Sequence, residues 1–268
     1  SAASDVYKRQ PLFGGIFLTY FDLNVGVFFL FLLYALSFFL VSTQKEDTLT
    51  NNTTSYTQSL LKVIRQTRDN VNLLSVVSLT FVFNIFALPF IALISLLLIE
   101  KFNPNELYIG MFTSLEGIGA LLGGTAITVI AINKKLISFI SFLAIILLCI
   151  SLSASSSSIY MYLLFIFIFG MATACYSALQ STIIYMNSTP ELRSSTFSLL
   201  TIAIGCGALG SLNIYLMSTF FTTEEISNIM AIEGLLVGFF FLLLALVRFP
   251  IYKFCLLYTS PSPRDLVI

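Results

Sequence analysis

Asn133 to Ser158 reads NKKLISFISFLAIILLCISLSASSSS. A basic turn, an apolar run from Leu136 to Ala154 and a serine link follow one another in that order. In hydrocarbon a backbone must satisfy its own hydrogen bonds, so an apolar run of ~20 residues reads as a membrane-spanning helix. The two lysines before it and the uncharged link after it also give the span a direction, because basic residues collect on the cytoplasmic side.

The rest of the chain repeats this unit. Hydrophobic residues make up 57% of the 268 residues and charged ones only 10%, and the mean hydropathy is +0.96. A soluble domain carries about a quarter charged residues. The net charge is zero and the sequence pI about 6.2, so there is no basic field for a nucleic-acid partner. The chain has no His, which removes the commonest metal ligand and general base. Its four cysteines, Cys149, Cys175, Cys206 and Cys255, are far apart and show no CxxC spacing, so they read as small apolar packing residues. No metal and no cofactor is expected.

Both ends depart from the pattern. Residues 1–10, SAASDVYKRQ, and residues 255–268, which open on CLLYTSPSPRD, resemble translated DNA adaptors of transposase-based sequencing libraries. They are set aside as non-native. Pro11–Tyr20 reads as a helix stub and Asn24–Ser42 as an apolar span. Residues 43–72 are polar. Within them SLLKVIRQTRDNV alternates Leu60, Leu61, Val63, Ile64 and Val71 with Lys62, Arg65 and Arg68, the pattern of an amphipathic helix on a membrane surface. Six spans follow, at about Leu73–Ile99, Leu107–Ile132, Leu136–Ala154, Ile159–Met186, Ser195–Phe221 and Ile226–Arg248. The links between them hold Pro, Asn, Ser and Gly, which break helices. The expected fold class is all-α, a polytopic membrane helix bundle: six full transmembrane helices from Leu73 onward, preceded by the Asn24–Ser42 span and the short N-terminal stub.

Orientation follows from charge. Of 13 Lys and Arg, three belong to the adaptor-like ends. Lys45, Lys62, Arg65, Arg68, Lys134, Lys135, Arg193, Arg248 and Lys253 fall on one side of the alternating topology, and Lys101 on the other. The nine mark the cytoplasmic side, so the 43–72 connection is expected there and the serine and TTEE links outside.

Polar residues inside the spans are the candidate substrate and ion pathway. Glu116, in FTSLEGIGALLGG, lies about a third of the way into its span. A carboxylate at that depth costs roughly 2.5 kcal/mol or more unless it is protonated, hydrated or paired. It is the candidate for proton or cation coupling, or it is a protonated packing residue. Glu233 is similar but nearer the outer end. Asn84, Gln180 and Asn213 also lie in spans, where such groups line a cavity or bond a neighbouring helix. Pro89 frees a backbone carbonyl and is a candidate for gating. Small residues give packing faces: Gly119-x-x-x-Gly123, Ala120-x-x-x-Gly124, and Gly205-x-Gly207-x-x-Gly210. The last matches the dinucleotide fingerprint in form only, since no strand precedes it. No cluster of acidic and basic side chains at one interface supports an enzyme.

The order of these elements resembles the C-terminal half of a major facilitator superfamily transporter, closest to the drug and siderophore exporter branch of macrolide-efflux and enterobactin-export proteins. Pro11-Leu12-Phe13-Gly14-Gly15 is similar to the end of that family's fifth helix, Asn84 to Pro89 to its seventh, and Tyr108-Ile109-Gly110 through Gly124 to its eighth. Pro190-Glu191-Leu192-Arg193-Ser194-Ser195 resembles the P-x-E-x-R-G-R element before its eleventh, with Ser in place of Gly and Thr196 in place of the second Arg. The turn between helices eight and nine is reduced to Asn133-Lys134-Lys135, without its acid.

The resemblance implies half of a twelve-helix fold: residues 11–42 the end of helix five and helix six, 43–72 the inter-half linker, and 73–254 helices seven to twelve. It implies proton-coupled efflux of a small amphipathic compound by alternating access in a bacterial cytoplasmic membrane. Glu116, Asn84, Gln180, Asn213 and Glu233 are the expected pathway, and Pro89, Arg193, Lys134 and Lys135 the gating positions. The partners expected are a small-molecule substrate, a proton or other cation, the lipid bilayer and a missing N-terminal half. The alternative is a membrane-embedded scaffold or assembly subunit without transport.

Overall fold

A computed structural model describes residues 23–43, 56–130 and 132–248. The adaptor-like ends, the Pro11–Tyr20 stub and the Thr-rich tract before Tyr56 lie outside the described residues. Those described are helical apart from short links, with no strand among them. The helices are α1 (Leu23–Ser42), α2 (Tyr56–Asp69), α3 (Val71–Val82), α4 (Phe90–Phe102), α5 (Glu106–Val129), α6 (Lys135–Ala154), α7 (Ile159–Asn187), α8 (Arg193–Gly205), α9 (Gly207–Met217) and α10 (Thr223–Arg248). Six spans are long and apolar enough to cross a bilayer, the first built from α3 with α4 and the fifth from α8 with α9. The molecule is an all-α membrane helix bundle.

Local chemistry sets the helix ends. Asn70 opens α3, its side chain accepting from the Asn72 and Leu73 amides at 2.9 and 3.3 Å. Asn105 opens α5 by accepting from the Tyr108 amide at 3.1 Å. Asn103 closes α4 in the left-handed conformation (φ 42°, ψ 49°), and Pro104 follows, unable to continue the helix. The span expected to run to Ile132 ends at Val129, where Ile130 turns extended (φ −82°, ψ 118°).

Two spans are discontinuous. Between α3 and α4 a π-turn covers Phe83–Ala87, and the Leu88 amide donates to the Phe83 carbonyl at 2.8 Å. Pro89 then has no N–H to give. The span expected as one helix over Ser195–Phe221 breaks at Cys206, between Gly205 and Gly207, and ends at Met217. Glycine on both sides lowers the cost of leaving the helix there.

The longest described helix, α7, is the hub; α5, α6, α3 and α8 pack on it. The core it organises holds the largest fully buried side chains: Tyr162, Phe169 and Tyr176 of α7, Phe90 of α4 and Phe139 of α6. Tyr176 lies between Phe139 and Phe83, with ring centroids 4.2 and 4.8 Å away. The Tyr162 hydroxyl donates to the Ile94 carbonyl at 2.6 Å, tying α7 to α4. On the outer side α10 packs on α6 and α3, and a methyl group at Gly234 would lie 2.8 Å from Leu147.

The tightest seam joins α5 to α7. A methyl group at Gly119 would overlap the Phe167 carbonyl oxygen, one at Gly123 that of Met171, and one at Gly170 that of Glu116. Both backbones therefore approach through missing side chains. Lipid tails are as apolar as the helix faces, so association in a bilayer rests on close packing of this kind. By contrast a methyl group at Gly124 would make only an ordinary contact with Ala174, and one at Gly205 would meet open space.

Gly170→Ala is expected to destabilise the bundle by about 1–3 kcal/mol, since backbone and not a flexible side chain stands in the way. Gly205→Ala should be neutral or stabilising by up to about 1 kcal/mol. Unfolding of the two variants in mixed detergent micelles reads the difference directly; equal midpoints would disprove the assigned seam.

Candidate functional site

The polar residues inside the spans fall into three groups. The first surrounds Thr80 of α3. Its hydroxyl donates to the Val76 carbonyl at 2.7 Å and accepts from Gln180 Nε2 of α7. Its carbonyl accepts from Asn84 Nδ2 at 2.8 Å. Thr80, Asn84 and Gln180 are all buried, at 0, 3 and 7% exposure. Asn84 and Gln180 are thus brought together, through a threonine that the sequence alone did not single out. Both side chains are sealed in the contact between α3 and α7. The signal for Thr80 was its place one helical turn before Asn84.

The second group is the pair of helix breaks. The π-turn and Pro89 lie against the start of α9. A methyl group at Gly210 would overlap the Ile85 carbonyl oxygen and come within 2.7 Å of Pro89 Cγ; one at Gly207 would lie 3.4 Å from the Asn84 carbonyl oxygen. These two carbonyls are the ones left without their usual helix amide, because the Leu88 amide reaches back to Phe83 and Pro89 carries none. The bare glycine face of α9 lets the irregular stretch pack closely where a side chain would push it away.

The third group is dispersed. Glu116 is half-buried on α5, and its carbonyl meets Gly170 of α7. Gly170 was also missed by sequence reading, although Gly170-x-x-x-Ala174 is a small-residue pair of the kind found on α5. Asn213 on α9 and Glu233 on α10 are half-buried. Among the described residues no group of three His, Cys, Asp or Glu is placed to hold a metal.

The helix ends carry the remaining candidates. The Arg193 guanidinium, at the start of α8, lies 3.9 Å from the centre of the Tyr185 ring near the end of α7. Asn72 donates to Asn187 at 2.8 Å across the same end of the bundle. Lys134 is exposed just before α6, and Lys135 half-buried in its first turn. At the opposite end Lys101 of α4 pairs with Glu224 of α10 at 2.8 Å and donates to the Ala154 carbonyl at the end of α6. Beside it Thr223 donates to Glu100 at 2.9 Å, and Asn228 accepts from Ser151 at 2.7 Å. This clamp joins α4, α6 and α10. Lys101 stood out in the sequence as isolated on its side, but its partner is 123 positions away.

Thr80→Val keeps the shape of the side chain and removes both bonds of its hydroxyl. It is expected to cost about 1 kcal/mol, the usual worth of such a bond between membrane helices. Thr80→Ser should restore it. Identical unfolding midpoints for all three proteins would show that the bond to Gln180 carries nothing.

A family model described as Major Facilitator Superfamily matches residues 11–212, most of the chain. No curated protein and no solved structure matches it. The match takes in α1 to α8, the π-turn with Pro89, and the glycine face of α9 up to Leu212. The chain belongs to the Major Facilitator Superfamily, a family of membrane transporters.

Proposed function

We propose that the chain is the C-terminal half of a secondary active exporter of small amphipathic compounds, driven by proton antiport in a bacterial cytoplasmic membrane. In this reading two six-helix halves rock about a central path, and residues 73–254 form one of them. Glu116 carries the reading. It is an acidic residue inside an apolar span, half-buried, on the helix that makes the tightest seam with the hub α7. An ionisable side chain within a span is the natural place for a proton to be taken up and released.

The helix breaks support movement at the same level. A span divided by a π-turn and Pro89, packed against a second span divided at Cys206, can bend without unfolding either half-helix. The Lys101 clamp holds α4, α6 and α10 together at one end while α3 and α8 meet the other end. Glu233 and Asn213 extend the proposed pathway, and Asn84 with Gln180 would join it in a state where α3 and α7 separate. Lys134, Lys135 and Arg193, with the basic residues of α2, support a cytoplasmic position for this end under the positive-inside rule.

The test uses the complete open reading frame that contains this chain, in inverted vesicles or proteoliposomes with an imposed pH gradient. Glu116→Gln is expected to reduce gradient-driven efflux to background while downhill movement of the same compound continues. Efflux with an unchanged dependence on the gradient would sink the coupling role. The 268-residue chain alone, holding one half, is expected to show no transport.

A further inference from the structure

α2 is amphipathic in an unusual way: both of its faces carry apolar residues. Val63 and Thr67, one turn apart, are buried, at 1 and 5% exposure, where α2 packs on α3 and α8. Leu61 and Ile64 are 66 and 49% exposed. Among the described residues, Leu61, Ile64, Arg65, Arg68 and Asp69 line one shallow groove. The packing stripe therefore does not account for the aliphatic side chains, and two guanidinium groups stand beside them.

The depth of this groove is set by the chain. Only Asn70 separates α2 from α3, and α3 opens the first long span at Val71. Because α2 also packs on α3 and α8, the groove stays beside the ends of these spans. Its charge is also set. Lys62, Arg65 and Arg68 against Asp69 leave α2 with an excess of two positive charges. Arg65 and Asp69 approach to only 4.0 Å with side chains 87 and 59% exposed, a contact of little worth. Lys134, Lys135 and Arg193 share this end of the bundle, with Glu191 as the opposing acid.

We infer that this face of α2 is a docking site for the head group of an anionic phospholipid. The guanidiniums of Arg65 and Arg68 take the phosphate, for which their planar forks are suited. Leu61 and Ile64 lie on the glycerol and upper acyl region, as the apolar residues of an in-plane helix do. A soluble protein partner would have to displace lipid from aliphatic side chains held at head-group depth. The inference rests on the chain being a membrane protein and is independent of the transport reading.

Native mass spectrometry of the purified 268-residue chain in detergent tests it. Phosphatidylglycerol and phosphatidylcholine of equal acyl length are added in turn. The chain should retain phosphatidylglycerol preferentially, and excess inorganic phosphate should not displace it. Arg65→Gln with Arg68→Gln should weaken that preference by more than about tenfold, since one basic residue at an anionic surface is worth roughly fivefold. Asp69→Asn should strengthen it, an outcome that misfolding does not imitate. Equal retention of the two lipids would overturn the inference, as would a loss of preference in both variants. Loss of the preference in the protein expressed from the complete open reading frame would also overturn it.

Discussion

Close approach of two helix backbones is the contact on which this bundle depends. In a bilayer no hydrophobic force drives one apolar helix against another, so dispersion and short interhelical bonds must suffice. At the α5–α7 seam Gly119, Gly123 and Gly170 remove the side chains that would keep the two helices apart. With α5 seated there, the other faces of α7 take up α6 and α3, and the aromatic core around Tyr176 closes between them. α5 has little else to hold it, and much of its remaining surface is exposed.

Against that regular seam stand two irregular places, and they are neighbours. A proline and a π-turn interrupt one span; two glycines and Cys206 interrupt another. Each break disturbs the carbonyl–amide ladder, which is costly away from water. The glycine face of α9 and the Thr80 hydrogen bonds hold this region in one arrangement. Such a region owes its single arrangement to packing rather than to an unbroken ladder.

The two ends of the bundle differ in kind. One is closed by a partly buried ion pair, in which Lys101 also bonds the carbonyl end of α6. The other is basic and open, with Arg193 stacked on Tyr185 and α2 laid across α3 and α8. A side chain with both an ionic and a carbonyl partner holds several helices in fixed relation, whereas Lys62, Arg65, Arg68 and Lys134 at the other end are exposed.

Hydropathy alone determined the class, the six spans and most of their limits, because a helix in hydrocarbon is dictated by local composition and by the need to satisfy every backbone group. The amphipathic stretch at Tyr56–Asp69 and the weak point at Pro89 were readable for the same local reason. The glycine repeats announced that helices would touch, but not which ones. That α5 meets α7 through Gly170, that Thr80 joins Asn84 to Gln180, that Cys206 breaks its helix opposite the π-turn and that Lys101 finds Glu224 were decided only by the tertiary structure. These are contacts between residues up to 123 positions apart, and periodicity within one helix carries no information about the face that a distant helix presents to it.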